Sequence, residues 1–298
     1  MANATRKAEN YGRGEHALDA QELRAADPDH LLESLRSFLD DDAKGTPMLP
    51  AAAQQALSLS QDPKADMTKM RGLIETEPLL AAKVVQLAQT AFYSAGAAIH
   101  SLDDALVRLG MRTLVDLFLQ VAVTAQVFRA KAFSKPMDAI RRHSIACAHL
   151  TRKVCRAIGF PEEYAFLCGL LHDAGMAMCL VMLAEGADKD SRLTYEEVSW
   201  VVDGAHARAS GLVARAWKLP DDIQLILKSH HDFEIDGRVH PLIAALCVAD
   251  GLASQADFRA GDEYKVATFA RALKALNLTP LVVESLRKDA AELSGLVV

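Results

Sequence analysis

Between residues 143 and 250, five histidines and two aspartates have the types and spacing of a shared site: His143, His172, Asp173, His206, His230, His231 and Asp250. At about 100° per residue, His143 shares a helical face with Ile140, Cys147, Leu150, Val154 and Ile158. His206 falls with Val202, Ala209, Val213 and Trp217, and Asp250 with Ile243, Leu246 and Cys247. His230 falls with Ile223, Ile226 and Leu227, with His231 one step aside. His172-Asp173 closes an apolar stretch in GLLHDAG. A carboxylate on an apolar stripe is costly unless it is paired or coordinates a metal. Taken singly, each histidine reads as a hydrogen-bonded core residue. Seven such groups on separate inward faces favour one polar or metal site. Five imidazoles and two carboxylates suit one or two transition-metal ions of the Fe, Mn, Zn, Ni or Co type. The same wheel places His149 nearly opposite Cys147, so His149 is expected in solvent, as are Arg141, Arg142, Arg152, Lys153 and Arg156.

The elements that must position these groups read as helices throughout. Asp27-Pro28-Asp29 has the form of a helix start leading into HLLESLRSFL, and the run from Asp40 to Pro47 reads as a linker. PAAAQQALSL, MTKMRGLIET and PLLAAKVVQLAQTAFY carry helical periodicity. Ser101 is a natural N-cap and Gly110 a natural C-cap for SLDDALVRLG. MRTLVDLFLQVAVTAQVF follows as a long buried helix. Beyond Pro136, read as a boundary, helices are expected over about 138–158, 162–172, 175–184, 195–217, 221–231, 240–255, 262–277 and 279–294. The expectation is an all-α fold of two packed helical subdomains, with a polar segment over 1–45, a first subdomain over 46–135 and a second over 136–298.

Composition narrows the function classes. The chain carries a net charge of -6, which argues against non-specific nucleic-acid binding, because that needs dense Lys and Arg. The five cysteines form no C-x-x-C pair, which suits reduced thiols in a core rather than a disulfide framework. The first residues lack the apolar stretch of a secretory signal, and no uncharged apolar run approaches 18 residues. A cytoplasmic location, with no membrane and no specific nucleic acid as partner, is the expectation. No phosphate loop or dinucleotide fingerprint is present.

The order H…HD…H…HH…D resembles the metal-ligand order of the HD-domain phosphohydrolases, particularly the HD-GYP phosphodiesterases. His143 matches the first ligand, His172-Asp173 the signature pair, His206 the third histidine, His230-His231 the double histidine and Asp250 the last aspartate. The wider text is more similar to the HDOD family, the HD-related output domains. TPMLPAAAQQALSLSQDP, IETEPLLAAKVVQLAQTAFY and SLDDALVRLGMRTLVDLFL resemble its N-terminal half. CGLLHDAGMAMCL and HARASGLVARAWKLPDDIQLILKSHHDF resemble its HD-like half. The resemblance covers about 46–255. It implies a bacterial signalling output module that acts through signalling proteins in trans, with a homo-oligomer compatible and the second subdomain HD-like. The alternative it implies is a metal-dependent phosphodiesterase in which Asp173 is shared by two metals. Against that alternative, Met176 stands where HD-GYP enzymes carry lysine, and DFEIDGRVH follows His230-His231 without the GYP triplet.

Overall fold

The computed structural model describes residues 28–40, 54–55, 58–59, 66–75, 78–90, 93, 99, 101–162, 164–186, 193–260 and 266–295. The polar N-terminal residues, most of PAAAQQALSL and the linker ahead of it lie outside this set. Helix α1 spans Pro28–Asp40, α2 Met67–Glu75, α3 Pro78–Gln89 and α4 Leu102–Val127. A 3-10 turn, Lys131–Phe133, leads into α5, Ser134–Ala157. Then come α6 Ala165–Leu171, α7 Ala174–Gly186, α8 Tyr195–Ala216 and α9 Asp221–Lys228. A hairpin of β1 Glu234–Ile235 and β2 Arg238–Val239 precedes α10 Pro241–Gln255, α11 Val266–Ala275 and α12 Pro280–Glu292. The fold is all-α apart from this hairpin, which has two residues per strand and pairs Glu234 with Val239. The alternation of apolar residues does not announce it, since both strands are mostly exposed.

Local chemistry sets the helix ends. Ser101 Oγ accepts from the Asp104 amide at 3.0 Å. Gly110 adopts φ +72°, a left-handed conformation that breaks α4 into two helical pieces where the sequence places a C-cap. Pro28, Pro241 and Pro280 each open a helix, where a missing N–H leaves no bond unmade. Helix α5 begins at Ser134, earlier than the expected start near 138, and Pro136 fits inside its first turn because the amides of a first helical turn have no intrahelical acceptor.

One apolar core runs from Leu31 on α1 to Leu293. Helix α5 is its axis, packed against α6 and α10, with α7 and α8 closing the far side and α1 lying on α8. Being central, α5 is buried on more than one face, and this overturns two expectations. His149 is only 8% exposed, and its ring packs edge-on against Phe166 at 5.2 Å. Arg152 is not solvated either: it forms a buried ion pair with Asp116 of α4 and lies over the Phe166 ring. Arg156 does stay at the surface, paired with Glu162. The segment Ala165–Glu185 is long and apolar enough, by length and composition, to cross a membrane. Its apolar window is wholly buried and is split into α6 and α7 by the turn at His172-Asp173, which marks it as core.

Candidate metal centre

Five elements bring the seven residues to one place. His143 projects from the middle of α5, and His172-Asp173 forms the turn between α6 and α7. His206 comes from α8, His230-His231 from the turn after α9, and Asp250 from α10. His143, His172, Asp173, His206, His231 and Asp250 line a cavity of about 420 Å³, and His230 lies just behind it, buried.

Close backbone approach makes this convergence feasible. A Cβ at Gly169 would sit 2.6 Å from the Ala148 Cα, so only glycine lets α6 press against α5. A Cβ at Gly175 would collide with the backbone of His206 and Ser210, so glycine is what lets α7 meet α8. Ser210, fully buried, ties the same junction. Its hydroxyl donates to the His172 carbonyl at 2.5 Å and accepts from the Gly175 amide at 2.9 Å.

The imidazoles are oriented by one repeated device. Nδ1 of His143 lies 2.8 Å from the Phe258 carbonyl, that of His172 2.8 Å from Gly169, that of His206 2.5 Å from Asp203, and that of His230 2.7 Å from Leu227. A carbonyl can only accept, so each Nδ1 carries the proton and each Nε2 presents a lone pair. Those lone pairs point at Asp173. Its Oδ2 lies 3.2 Å from His172 Nε2 and 3.5 Å from His143 Nε2. Its Oδ1 lies 3.7 Å from both His206 Nε2 and His230 Nε2. Asp250 Oδ1 reaches His143 Nε2 at 3.4 Å. The site is thus two groups of donors joined by one carboxylate. The histidine carbonyl bonds are the arrangement that fixes the tautomer and raises the basicity of metal-ligating histidines.

The electrostatics show what the donors lack. His143 and His172 face each other Nε2 to Nε2 at 3.2 Å, where two bare lone pairs repel, so that pair calls for a proton or a cation between them. His206 Nε2 lies 2.7 Å from His231 Nε2, whose N–H can donate to it. His172 answers in part: burial works against its charge, but Asp173, Asp250 and the Gly169 carbonyl outweigh burial and push it up to about 9. Burial would raise Asp173, yet His172, His206 and His143 hold it well below the carboxylate range. Burial raises Asp250 against the pull of His143. Burial, then His231, His206 and His172, hold His230 well below the usual imidazole range. His230 Nε2 is buried without a hydrogen-bond partner. A neutral imidazole with a bare nitrogen turned into a cluster of donors fits a metal ion.

Among the described residues, two groups meet the distance requirement for a shared ion: His143, Cys147 and His172, and separately His206, His230 and His231, each with ligand atoms within 4.8 Å of one another. Sequence reasoning placed Cys147 on the His143 face without counting it as a site residue. It also passed over Ser210, Asp203 and Cys247, of which the last two line the cavity. Cys147 and Cys247 were visible as neighbours of His143 and Asp250 on shared stripes. Asp203 acts through its carbonyl and Ser210 through hydroxyl bonds to two backbone groups, and no pattern of residue types signals that.

The profile of the HDOD domain family matches residues 46–233. Among solved structures, the fold is similar to an HDOD domain protein of unknown function from Geobacter sulfurreducens, at 19% identity and a TM-score of 0.68, covering 94% of this chain and 98% of that one. It is similar to a candidate metal-dependent phosphohydrolase from Shewanella amazonensis SB2B, at 19% identity and a TM-score of 0.65, covering 88% and 99%. It is also similar to a candidate signal transduction protein from Marinobacter aquaeolei VT8, at 21% identity and a TM-score of 0.60, covering 94% and 68%. No curated protein matches the sequence. With more than half of its length matched by the family profile and the same fold in the structural relatives, the chain belongs to the HDOD domain family.

Proposed function

We propose that this HDOD protein is a non-catalytic regulatory module that holds one or two transition-metal ions and acts through signalling proteins. The observation that carries the reading is the chemistry of the cavity wall. Imidazoles and three carboxylates, Asp173, Asp203 and Asp250, line it, and among the described residues no lysine or arginine does. Such a wall attracts cations. It offers a phosphodiester no protein cation to offset the charge that builds up on its oxygens, and loss of one preorganised donor typically costs about a hundredfold or more in rate. Met176, at the position where the HD-GYP enzymes have lysine, lines the cavity and is buried. His143, His172, Asp173 and Asp250 would hold one ion, and His206, His230, His231 and Asp173 the other. A bound ion would supply charge neutralisation and cross-linking of five helical elements, which stabilises the native state by mass action.

The second reading, a metal-dependent phosphohydrolase, is favoured by the two oxygens of Asp173 facing separate donor groups, since paired metals clamp both oxygens of an in-line displacement. Metal analysis of protein purified without chelator, followed by turnover assays on a generic phosphodiester and a cyclic dinucleotide, separates the two. Bound metal with only residual hydrolysis is the expected result. Robust metal-dependent cleavage abolished by His172→Ala would make the protein an enzyme.

A further inference from the structure

We propose that the groove between α1, α8 and α9 is the docking surface of this module, and that its occupant is an acidic amphipathic helix of a signalling partner. The inference rests on the regulatory reading above and gives its partner a place and a chemistry.

Two helical stripes of equal length wall the groove. Arg208, Leu212 and Arg215 share a face of α8, and Asp221, Leu225 and Lys228 share a face of α9. Each stripe runs for about 10 Å of helix. The two backbones come close because position 211 is glycine: a Cβ there would sit 2.9 Å from the Lys228 Cβ. Helix α1 closes the third side. Its Pro28 packs against Gly204, where a Cβ would meet the proline ring at 2.7 Å, and its Leu32 and Arg36 reach the groove. The enclosed space is about 670 Å³. Helix α1 lies ahead of residues 46–233, which the family profile matches, so the groove is a feature of this chain and not of the HDOD domain as such.

Charge selects the occupant. On a chain of net charge -6, the groove holds four cations against three carboxylates. The carboxylates are committed: Asp29 pairs with Arg208, Glu33 with Arg36 at 3.4 Å, and Asp221 accepts from Gln224 at 3.3 Å in the first turn of α9. Arg215 and Lys228 remain. Both are exposed, and neither has an ion-pair partner among the described residues. One turn ahead of each stands a leucine of the same stripe, Leu212 half-buried and Leu225 38% exposed. A leucine and an unpaired cation repeated on two neighbouring helices complement a helix that carries leucines and carboxylates one turn apart, the i, i+3, i+4, i+7 pattern of helix-in-groove recognition. Nucleic acid fits less well, because two unpaired cations release few counterions.

Fluorescence anisotropy on the full-length chain tests this with a labelled synthetic helix bearing Glu at i and i+7 and Leu at i+3 and i+4, beside versions with Gln or Lys at the two Glu positions. The Glu probe is expected to bind, the Gln probe about tenfold more weakly, and the Lys probe not measurably. Arg215→Glu combined with Lys228→Glu should weaken the Glu probe about tenfold or more, through two lost ion pairs and the new repulsion, and should bind the Lys probe instead. Both side chains are exposed and outside the metal cavity, so metal content should stay at the wild-type value. Circular dichroism checks the fold, and Arg215→Gln with Lys228→Gln serves where the Glu pair does not fold. Arg238→Glu with Lys274→Glu changes the charge equally on other exposed positions and should leave Glu-probe binding unchanged. A Glu probe that does not bind, that binds no better than the Gln probe, or that responds equally to both charge-reversed pairs overturns the proposal. Metal content and phosphodiester turnover, measured on the same preparations, judge the regulatory reading separately.

Discussion

At His172 two demands meet in one ring. Nδ1 is committed to the Gly169 carbonyl, and Nε2 stands 3.2 Å from both His143 Nε2 and Asp173 Oδ2. Replacing it with alanine removes one of the proposed metal donors and leaves a hole in a buried site. His172→Ala should reduce metal per chain by about half or more and lower the melting temperature, since the stabilisation by bound ion, about 2.7 kcal/mol at a hundredfold excess over Kd, is lost. Elemental analysis and calorimetry on the same preparation check this. His149 permits a test independent of metal. Burial, and secondarily Lys153, lower it to about 4 from 6.5. The unfolded chain therefore takes up this proton at a higher pH than the native protein does. The stabilising contribution is fully present above about pH 6.5 and is lost as pH falls toward 4, amounting to about 3 kcal/mol. Denaturant unfolding at pH 7 and pH 4.5 should show this fall in the wild type and a smaller one in His149→Gln.

At the scale of elements, the site depends on how closely α5, α6, α7 and α8 approach. Gly175→Ala places a methyl group against the backbone of His206 and Ser210, where no side chain can swing away. It should destabilise by about 1–3 kcal/mol or more, as overpacking does, and should loosen metal binding by shifting His206. Gly72→Ala is the contrasting control. Nothing lies within 4 Å of the added Cβ inside α2, so the better helix former should stabilise by about 0.5–1 kcal/mol. Ser210→Ala strands the His172 carbonyl and the Gly175 amide in the core, a loss of about 1–3 kcal/mol. Urea unfolding of the three variants, with and without metal, checks all of these.

At the scale of the whole molecule, the chain assembles its donors from residues 143 to 250, across helices that share one core. Metal should therefore stabilise the second half of the chain as a unit. Removing it with a chelator is expected to lower the melting temperature by several degrees, given about 2–4 °C per kcal/mol for proteins of this size class. Hydrogen exchange should show the loss concentrated in α5, α7, α8 and α10 rather than in α2 and α3. Uniform loosening of all helices, or no change on chelation, would contradict this.

By itself the sequence determined the helices and which histidines and aspartates share an inward face. The 3.6-residue period is written in residue types, so α5, α8, α9 and α10 and the inward faces bearing His143, His206, His230 and Asp250 could be read directly. Caps at Ser101 and Gly110 were legible because they depend on one residue's local chemistry. What only the tertiary structure decided is how many faces of each helix are buried and which backbones touch. A helical wheel supposes one inner side. Helix α5 is enclosed by α6, α10 and α12 and reached by Asp116 of α4, so His149 is buried and Arg152 half-buried although the wheel turns them outward. The carbonyls of Gly169, Asp203, Leu227 and Phe258 that orient the imidazoles are invisible in a string of residue types, because every residue has one. Nor could periodicity measure the 3.4 Å from Cys147 to His143 or the two-sided reach of Asp173. Those depend on the crossing of helices distant in sequence, which glycine at 169 and 175 permits.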